Sequence, residues 1–276
     1  MDDFNETLIA AANAARTTAQ RFEIKYVISE AVAQAISAHI APYVVPDPAG
    51  AQYSVVSVYL DTPDLDLYWR SFVGECHRYK LRIRSYDDKE AGADPLFLEV
   101  KQRINQITRK TRVAILREKL DEVIADRNAP DECLCRRGDP AAAAHANRFC
   151  EMMAFLAATP RVAVKYQREP FVSRVDHEPL RITFDRRLAC AADTSSVWNG
   201  GAPWRELPEV PVVLEIKFTD CYPAWVERLA RQFDLRQESF SKYVYCVDAL
   251  RREGFALAGN ANNRMDTPEI CMREFT

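Results

Sequence analysis

In the stretch HRYKLRIRSYDD (77–88), Arg78, Lys80, Arg82 and Arg84 fall at every second position, with Tyr79, Leu81, Ile83 and Ser85 between them. That alternation reads as a β-strand with one cationic and one apolar face. Residues i and i+2 on a strand lie about 7 Å apart. Two positive charges at that spacing repel by roughly 2 kcal/mol at an effective dielectric near 20, and by less than about 1 kcal/mol in open water. Such a face is either bathed in solvent or turned towards something very negative. Phosphate suits it, because each phosphate offers several acceptor oxygens to Arg and Lys.

Other strand-like stretches place ionic residues at the same period. Glu23 and Lys25 do so in RFEIKY, Glu99 and Lys101 in FLEVK, Lys110 and Arg112 in RKTR, Arg181 and Asp185 in LRITFD, and Glu215 and Lys217 in VVLEIKF. A single strand of this kind is explained by a solvated face of an antiparallel sheet. Several strands together, each strongly apolar around its ionic pair, point elsewhere. If the sheet closes, the apolar residues pack outward against helices and the ionic residues line a lumen. A lumen so rich in cations needs a bound polyanion. Acids among the cations suit a divalent metal, since hard cations take carboxylate oxygens, and Mg²⁺ combines one or two of these with substrate phosphates.

The elements that must carry these residues follow from the same patterning. Strands are expected at 21–29, 53–61, 77–86, 96–103, 108–115, 161–172, 180–188 and 210–218. Helices are expected at 2–19, at 30–40 behind a Ser29 cap, in the segment after Thr62, at 117–128, at 141–159, at 223–233 and at 239–253. The segment 42–50 reads as a loop and 87–95 as a turn. The fold class is therefore α+β: a closed antiparallel β-tunnel of about eight strands with flanking helices. No Gly/Ser linker divides the chain, so 1–276 is taken as one domain with a core at about 21–250, a helical insertion at 116–157 and a disordered tail at 262–276.

Composition removes several functions. With 37 Lys+Arg against 40 Asp+Glu, the net charge of −3 gives no overall basic field to gather nucleic acid. The acidic N-terminus lacks a secretory signal's apolar core, and no run reaches the roughly 20 apolar residues of a membrane span. The eight cysteines include no paired CxxC spacing, and the four histidines form no ligand spacing. The cysteines are expected to be reduced, mostly buried thiols in a cytoplasmic protein.

RFEIKY, VYLDTPDLDLY, YKLRIRSY, FLEVK with RKTR, KYQREPF, LRITFD, VVLEIKF and FSKY, in that order, resemble the catalytic domain of the vacuolar transporter chaperone (VTC) family. These are polyphosphate polymerases of the triphosphate tunnel metalloenzyme, or CYTH-like, superfamily. The resemblance covers about 21–250. It implies an antiparallel tunnel that transfers the terminal phosphate of ATP to a growing inorganic polyphosphate chain with Mn²⁺ or Mg²⁺. Carried over by motif, Lys25, Arg82, Arg84, Arg181 and Lys217 would hold the reacting phosphates as the catalytic set. Lys80, Lys101, Lys110, Arg112, Arg168, Ser241 and Lys242 would line the path of the chain. The last pair would use free N–H groups at a helix start. Glu215 would be the metal carboxylate, with Glu23 and Glu99 as the next choices.

Two positions depart from the family pattern. Hydrolytic and cyclase members of the superfamily begin with ExExK, whereas this chain has Arg21 in the first place, giving RxExK. Eukaryotic polymerases have a lysine two residues before the FSK serine, where this chain has Ser239. Without SPX or membrane segments, it resembles the free-standing bacterial form. The alternatives are a tripolyphosphate or nucleoside-triphosphate hydrolase in the same tunnel, and a non-enzymatic polyphosphate-binding module.

Overall fold

The structure, a computed structural model, describes residues 21–86, 95–105, 107–174, 180–219, 223–255 and 257. The expected helix at 2–19, most of the turn at 87–95 and the tail at 262–276 lie outside them. The strands are β1 (Arg21–Ile28), β2 (Val44–Pro46), β3 (Tyr53–Asp61), β4 (His77–Ser85), β5 (Leu96–Ile104), β6 (Ile107–Ile115), β7 (Thr159–Ser173), β8 (Leu180–Ala191), β9 (Arg205–Glu206) and β10 (Val212–Thr219). The helices are α1 (Glu30–Ile40), α2 (Asp66–Phe72), α3 (Leu120–Asp126), α4 (Pro140–Phe155), α5 (Ala224–Gln232) and α6 (Lys242–Arg252). The strands β2, inside the expected loop at 42–50, and β9 are additions to the sequence reading. Both are too short to carry a visible alternation.

One antiparallel ten-stranded sheet holds the strands in the order β1-β10-β8-β7-β3-β4-β5-β6, with β2 and β9 paired to β7 and β8. The expected closed tunnel is not reproduced by backbone pairing, because β1 and β6 end the order without pairing to each other. The carbonyl of Lys25 on β1 is instead taken by the N–H of Glu238, from the segment leading into α6. Across the remaining gap, Lys101 Nζ of β5 lies 3.9 Å from Glu23 Oε2 of β1. An ion pair thus joins β1 to β5, and an irregular segment bonds the edge of β1.

The apolar face packs outward, as the alternation requires. Leu81, Ile83, Leu98, Val100 and Val113 meet Val123 of α3 and Phe149 of α4. Ile182, Leu214 and Ile216 meet Ile36 of α1 and Leu229 of α5. Local capping fixes where these helices begin. Ser29 accepts from the Val32 N–H, and Asp139, followed by Pro140, accepts from those of Ala141 and Ala142.

The opposite face has two zones. In β8 the inward residues are Arg181, Thr183 and Asp185, then Leu188 and Cys190. A bulge between Lys165/Gln167 on β7 and Arg186/Ala189 on β8 makes this shift, with Arg187 at φ 52°. The extra residue flips the phase, so one face passes from ionic to apolar. Tyr243, Cys246, Val247 and Leu250 of α6 cover the apolar zone.

One carboxylate fixes that helix. Asp61 is fully buried and accepts from the N–H groups of Thr62, Leu67 and Tyr68 at 2.7–2.9 Å and from the Tyr243 hydroxyl. A second buried pair, the Tyr68 hydroxyl donating to Asp248, ties α2 to α6. Asp61→Ala would leave these donors unmatched and should cost about 3 kcal/mol or more. Tyr243→Phe should cost about 1–2 kcal/mol. Urea unfolding with an unchanged m-value tests the ranking; equal midpoints for the two variants would contradict it.

Candidate functional site

The ionic zone is organised around two carboxylates. Glu215, 5% exposed, faces four cations: Lys242 at 3.1 Å, Lys217 at 3.3 Å, Arg168 at 3.4 Å and Lys25 at 3.7 Å. Burial alone would raise its pKa, but Lys242, Lys25, Lys217 and Arg168 hold it well below the usual carboxylate range. Glu99, 1% exposed, faces Arg82 at 2.6 Å, Lys110 at 2.7 Å and Arg112 at 3.6 Å. Burial opposes its charge too, yet Arg82, Arg84 and Lys110 keep its pKa at about 2.

Strand register explains these groupings. Lys25 pairs with Glu215 and Glu23 with Lys217 across β1 and β10, while Lys217 pairs with Arg181 across β10 and β8. Arg82 pairs with Glu99, and Glu99 with Arg112, across β4, β5 and β6. Glu23 lies 3.1 Å from Lys25 and 3.8 Å from Lys217. Desolvation opposes its charge, yet Lys25 and Lys217 bring its pKa to about 2. Helix α6 adds two groups at its start. Ser241 caps it and receives a 2.7 Å hydrogen bond from Lys80, and Lys242 reaches Asp185 at 2.6 Å.

The expected site residues therefore share one face. Lys25, Arg168, Lys217 and Lys242 gather at Glu215, while Arg82, Lys110 and Arg112 gather at Glu99. Lys101 reaches towards Glu23 and Lys80 towards Ser241. Arg181 sits further out, bonded to Asp47 at 3.0 Å and to the Tyr53 hydroxyl at 3.2 Å. Asp185 is not among the expected site residues, although it shares a period-two face with Arg181. It takes a bidentate pair from Arg168 at 2.7 Å. Ser57 and Tyr59 on β3 were missed as well. They bond Arg84 at 3.0 Å and Arg82 at 3.2 Å, and neutral hydroxyls gave no charge signal in YSVVSVYLD.

Lys80 and Arg84 flank Arg82 on β4 and have no carboxylate within ion-pair distance among the described residues. Arg84 is 6% exposed. Burial lowers the pKa of Lys80 well below its usual value, and Lys25, Lys101, Arg82 and Arg78 lower it further. Row and carboxylates together make a partly buried, strongly positive face with few fixed anions. Such a face has the chemistry of an anion site.

No group of three or more His, Cys, Asp or Glu side chains suited to a metal occurs among the described residues. Glu23 and Glu215 nonetheless flank Lys25 on one face and are both ionised. Two hard carboxylates fit a divalent cation whose other ligands are phosphate oxygens. The cysteines that are described are free, and Cys133, Cys150, Cys190 and Cys246 are buried. No described helix is long and apolar enough to cross a membrane.

Against known proteins, a family model described as VTC domain matches residues 20–251. No curated protein matches the chain. Among solved structures, one from Hippeastrum, described as a candidate adenylyl cyclase with a dominant triphosphatase activity, is 16% identical. The match has a TM-score of 0.44 and covers 85% of this chain and 96% of that one. So distant a likeness decides neither closure nor chemistry.

Two stability measurements probe the charge balance. Glu23 and Glu99 have folded pKa values of about 2 against an ordinary 4.5. Their contribution is present above pH 4.5 and is lost as pH falls towards 2. Glu99→Gln should flatten this acid limb of the stability curve; an unchanged limb would show that Glu99 contributes no such term. Lys80 has the opposite sign. Its depressed pKa penalises the folded state most at low pH, and the penalty fades as pH rises towards 10.5. Lys80→Met should therefore raise the ligand-free Tm near neutral pH by roughly 2–4 °C, for a relief of about 1 kcal/mol. A lower Tm would mean that Lys80 is a stabilising group.

Proposed function

The chain belongs to the VTC domain family, and from that premise we propose that it is a metal-dependent polyphosphate polymerase. It transfers the terminal phosphate of ATP to a growing polyphosphate chain. On this reading residues 1–276 act as one domain in the cytoplasm, and the ionic face lines a tunnel along which the chain threads. The observation that carries it is the partly buried row Lys80, Arg82 and Arg84, whose outer two members have no carboxylate partner among the described residues. Only a ligand with several closely spaced negative charges answers a row at that spacing.

A terminal oxygen of the polyphosphate chain attacks the outermost phosphorus of ATP, the bridging P–O bond to the next phosphate breaks, and ADP leaves. Catalysis of this step is mostly positioning and charge stabilisation. Arg82 and Arg84 hold phosphate oxygens from β4. Lys25, Lys217 and Arg181 hold them from β1, β10 and β8, while Lys242 and Ser241 hold them from the start of α6. Lys80, Lys101, Lys110, Arg112 and Arg168 extend the positive lining. A divalent cation, Mn²⁺ or Mg²⁺, held by Glu215 with Glu23 nearby, supplies further positive charge to the phosphate oxygens when bound.

The state of three carboxylates on the ionic face supports the transfer reading. Glu23, Glu99 and Glu215 are pinned by cations and held far below neutral pKa, so none is tuned to take a proton from water near pH 7. A phosphate acceptor arrives already ionised and needs no base. The sequence agrees, since Arg21 replaces the first acid of the hydrolytic pattern.

Purified protein incubated with ATP and Mn²⁺ should yield ADP and long polyphosphate on a gel. Orthophosphate without polymer would replace this reading by a hydrolase. Intact ATP with tightly bound polyphosphate would replace it by a binding module. Glu215→Gln keeps the volume and removes the charge; turnover should fall about a hundredfold across a Mn²⁺ titration while polyphosphate remains bound. Equal rates and equal metal midpoints would move the metal role to Glu23 or Glu99.

A further inference from the structure

Beyond Arg84 the ionic face becomes aromatic. Phe97 of β5 is the registered cross-strand partner of Arg84, and Tyr86 follows two residues after it. Tyr53, at the start of β3, completes the group. Its ring lies 5.8 Å from that of Tyr86, and the Tyr86 ring lies 5.6 Å from that of Phe97, both edge to face. Unlike Tyr59 and Tyr166, which are buried deeper on the same face, these three rings are only partly buried. The Arg112 guanidinium already lies in the notch, 3.7 Å from the Phe97 ring centre and 4.9 Å from that of Tyr86. Two of these rings thus already carry one planar group. Arg112 Nε and Arg181 Nε, on two sides of it, are buried without a hydrogen-bond partner.

We propose that the notch of Phe97, Tyr86 and Tyr53 is a stacking site for the base of a nucleoside triphosphate. The donor would then lie with its base beside Arg84 and its outermost phosphate towards Lys80 and Lys242. This rests on the phosphate-binding reading of the cationic row. Continuity carries it: a row of cations that holds phosphates runs directly into flat, accessible rings, and a nucleotide has its phosphates and its base in that order. Base stacking on aromatic rings and on guanidinium planes needs no particular base edge. The site would thus select nucleotides over inorganic phosphates without strict choice among bases. It would also fix the polarity of the donor, leaving the Lys80 end of the row for the acceptor.

The test separates the base from the phosphates. Wild type, Phe97→Leu and Tyr86→Leu are titrated by calorimetry with ATP and, separately, with inorganic tripolyphosphate, without divalent metal so that no turnover intervenes. Both variants should bind ATP about tenfold more weakly and tripolyphosphate within about twofold of wild type. Retained tripolyphosphate binding also shows that the variant is folded, and two variants guard against one failing to fold. Equal losses for both ligands would mean that the rings merely support the phosphate site, and no loss for either would mean that no base stacks there; both results overturn the proposal. Wild type that binds neither ligand overturns the phosphate-binding reading as well.

Discussion

The structure depends on how few carboxylates must serve many partly buried cations. Glu215 answers Lys25, Lys217, Lys242 and Arg168, and Glu99 answers Arg82, Lys110 and Arg112. Each carboxylate thus answers three or four cations with only two oxygens. Removing one would strand several charges in a low-dielectric setting, where the desolvation cost is no longer offset. Glu215 holds together β1, β10, β7 and α6, and Glu99 holds β4, β5 and β6. The polar face is thus stitched by two ionic hubs, while apolar packing against helices secures the other face.

The hubs do not balance the face completely. Lys80 is desolvated and ringed by cations, so its proton is held weakly, and Arg84 leans on Ser57 and the Tyr86 ring in place of an acid. Such unbalanced charge destabilises the empty fold and is the source of affinity when an anion arrives. Stability and binding therefore pull in opposite directions at the same residues. Asp61 and Asp185 contrast with them. Asp61 is saturated by local donors and serves the fold, while Asp185 is saturated by Arg168 and Lys242 and holds those two cations in place.

Helix α6 links the two requirements. Its apolar side covers the zone created by the β8 bulge, and its first turn carries Ser241 and Lys242 into the ionic zone. The Tyr243 hydroxyl on Asp61 and the stacking of its ring on Tyr59 at 4.6 Å set the height of that turn. Tyr59 in turn bonds Arg82. A contact made for packing thus fixes the position of two cations, Lys242 on α6 and Arg82 on β4.

Period-two alternation by itself determined most strands and the shared face of Glu23, Lys25, Arg82, Arg84, Glu99, Glu215 and Lys217, because side-chain direction in a strand is a local property. Ser29 and the 30–40 pattern determined α1 for the same reason, and ordered motifs pointed to the family. Tertiary structure alone decided which cation meets which acid, since register between strands distant in sequence is fixed by the whole sheet. It alone brought the hydroxyls of Ser57 and Tyr59 and the rings of Tyr53, Tyr86 and Phe97 to the cations, for neutral side chains carry no charge pattern to read. It placed the bulge at Arg187, where one added residue turns an ionic face apolar. It also decided that β1 pairs with the segment at Glu238 and not with β6. Closure compares backbone partners across the full length of the sheet, and no local stretch encodes that choice.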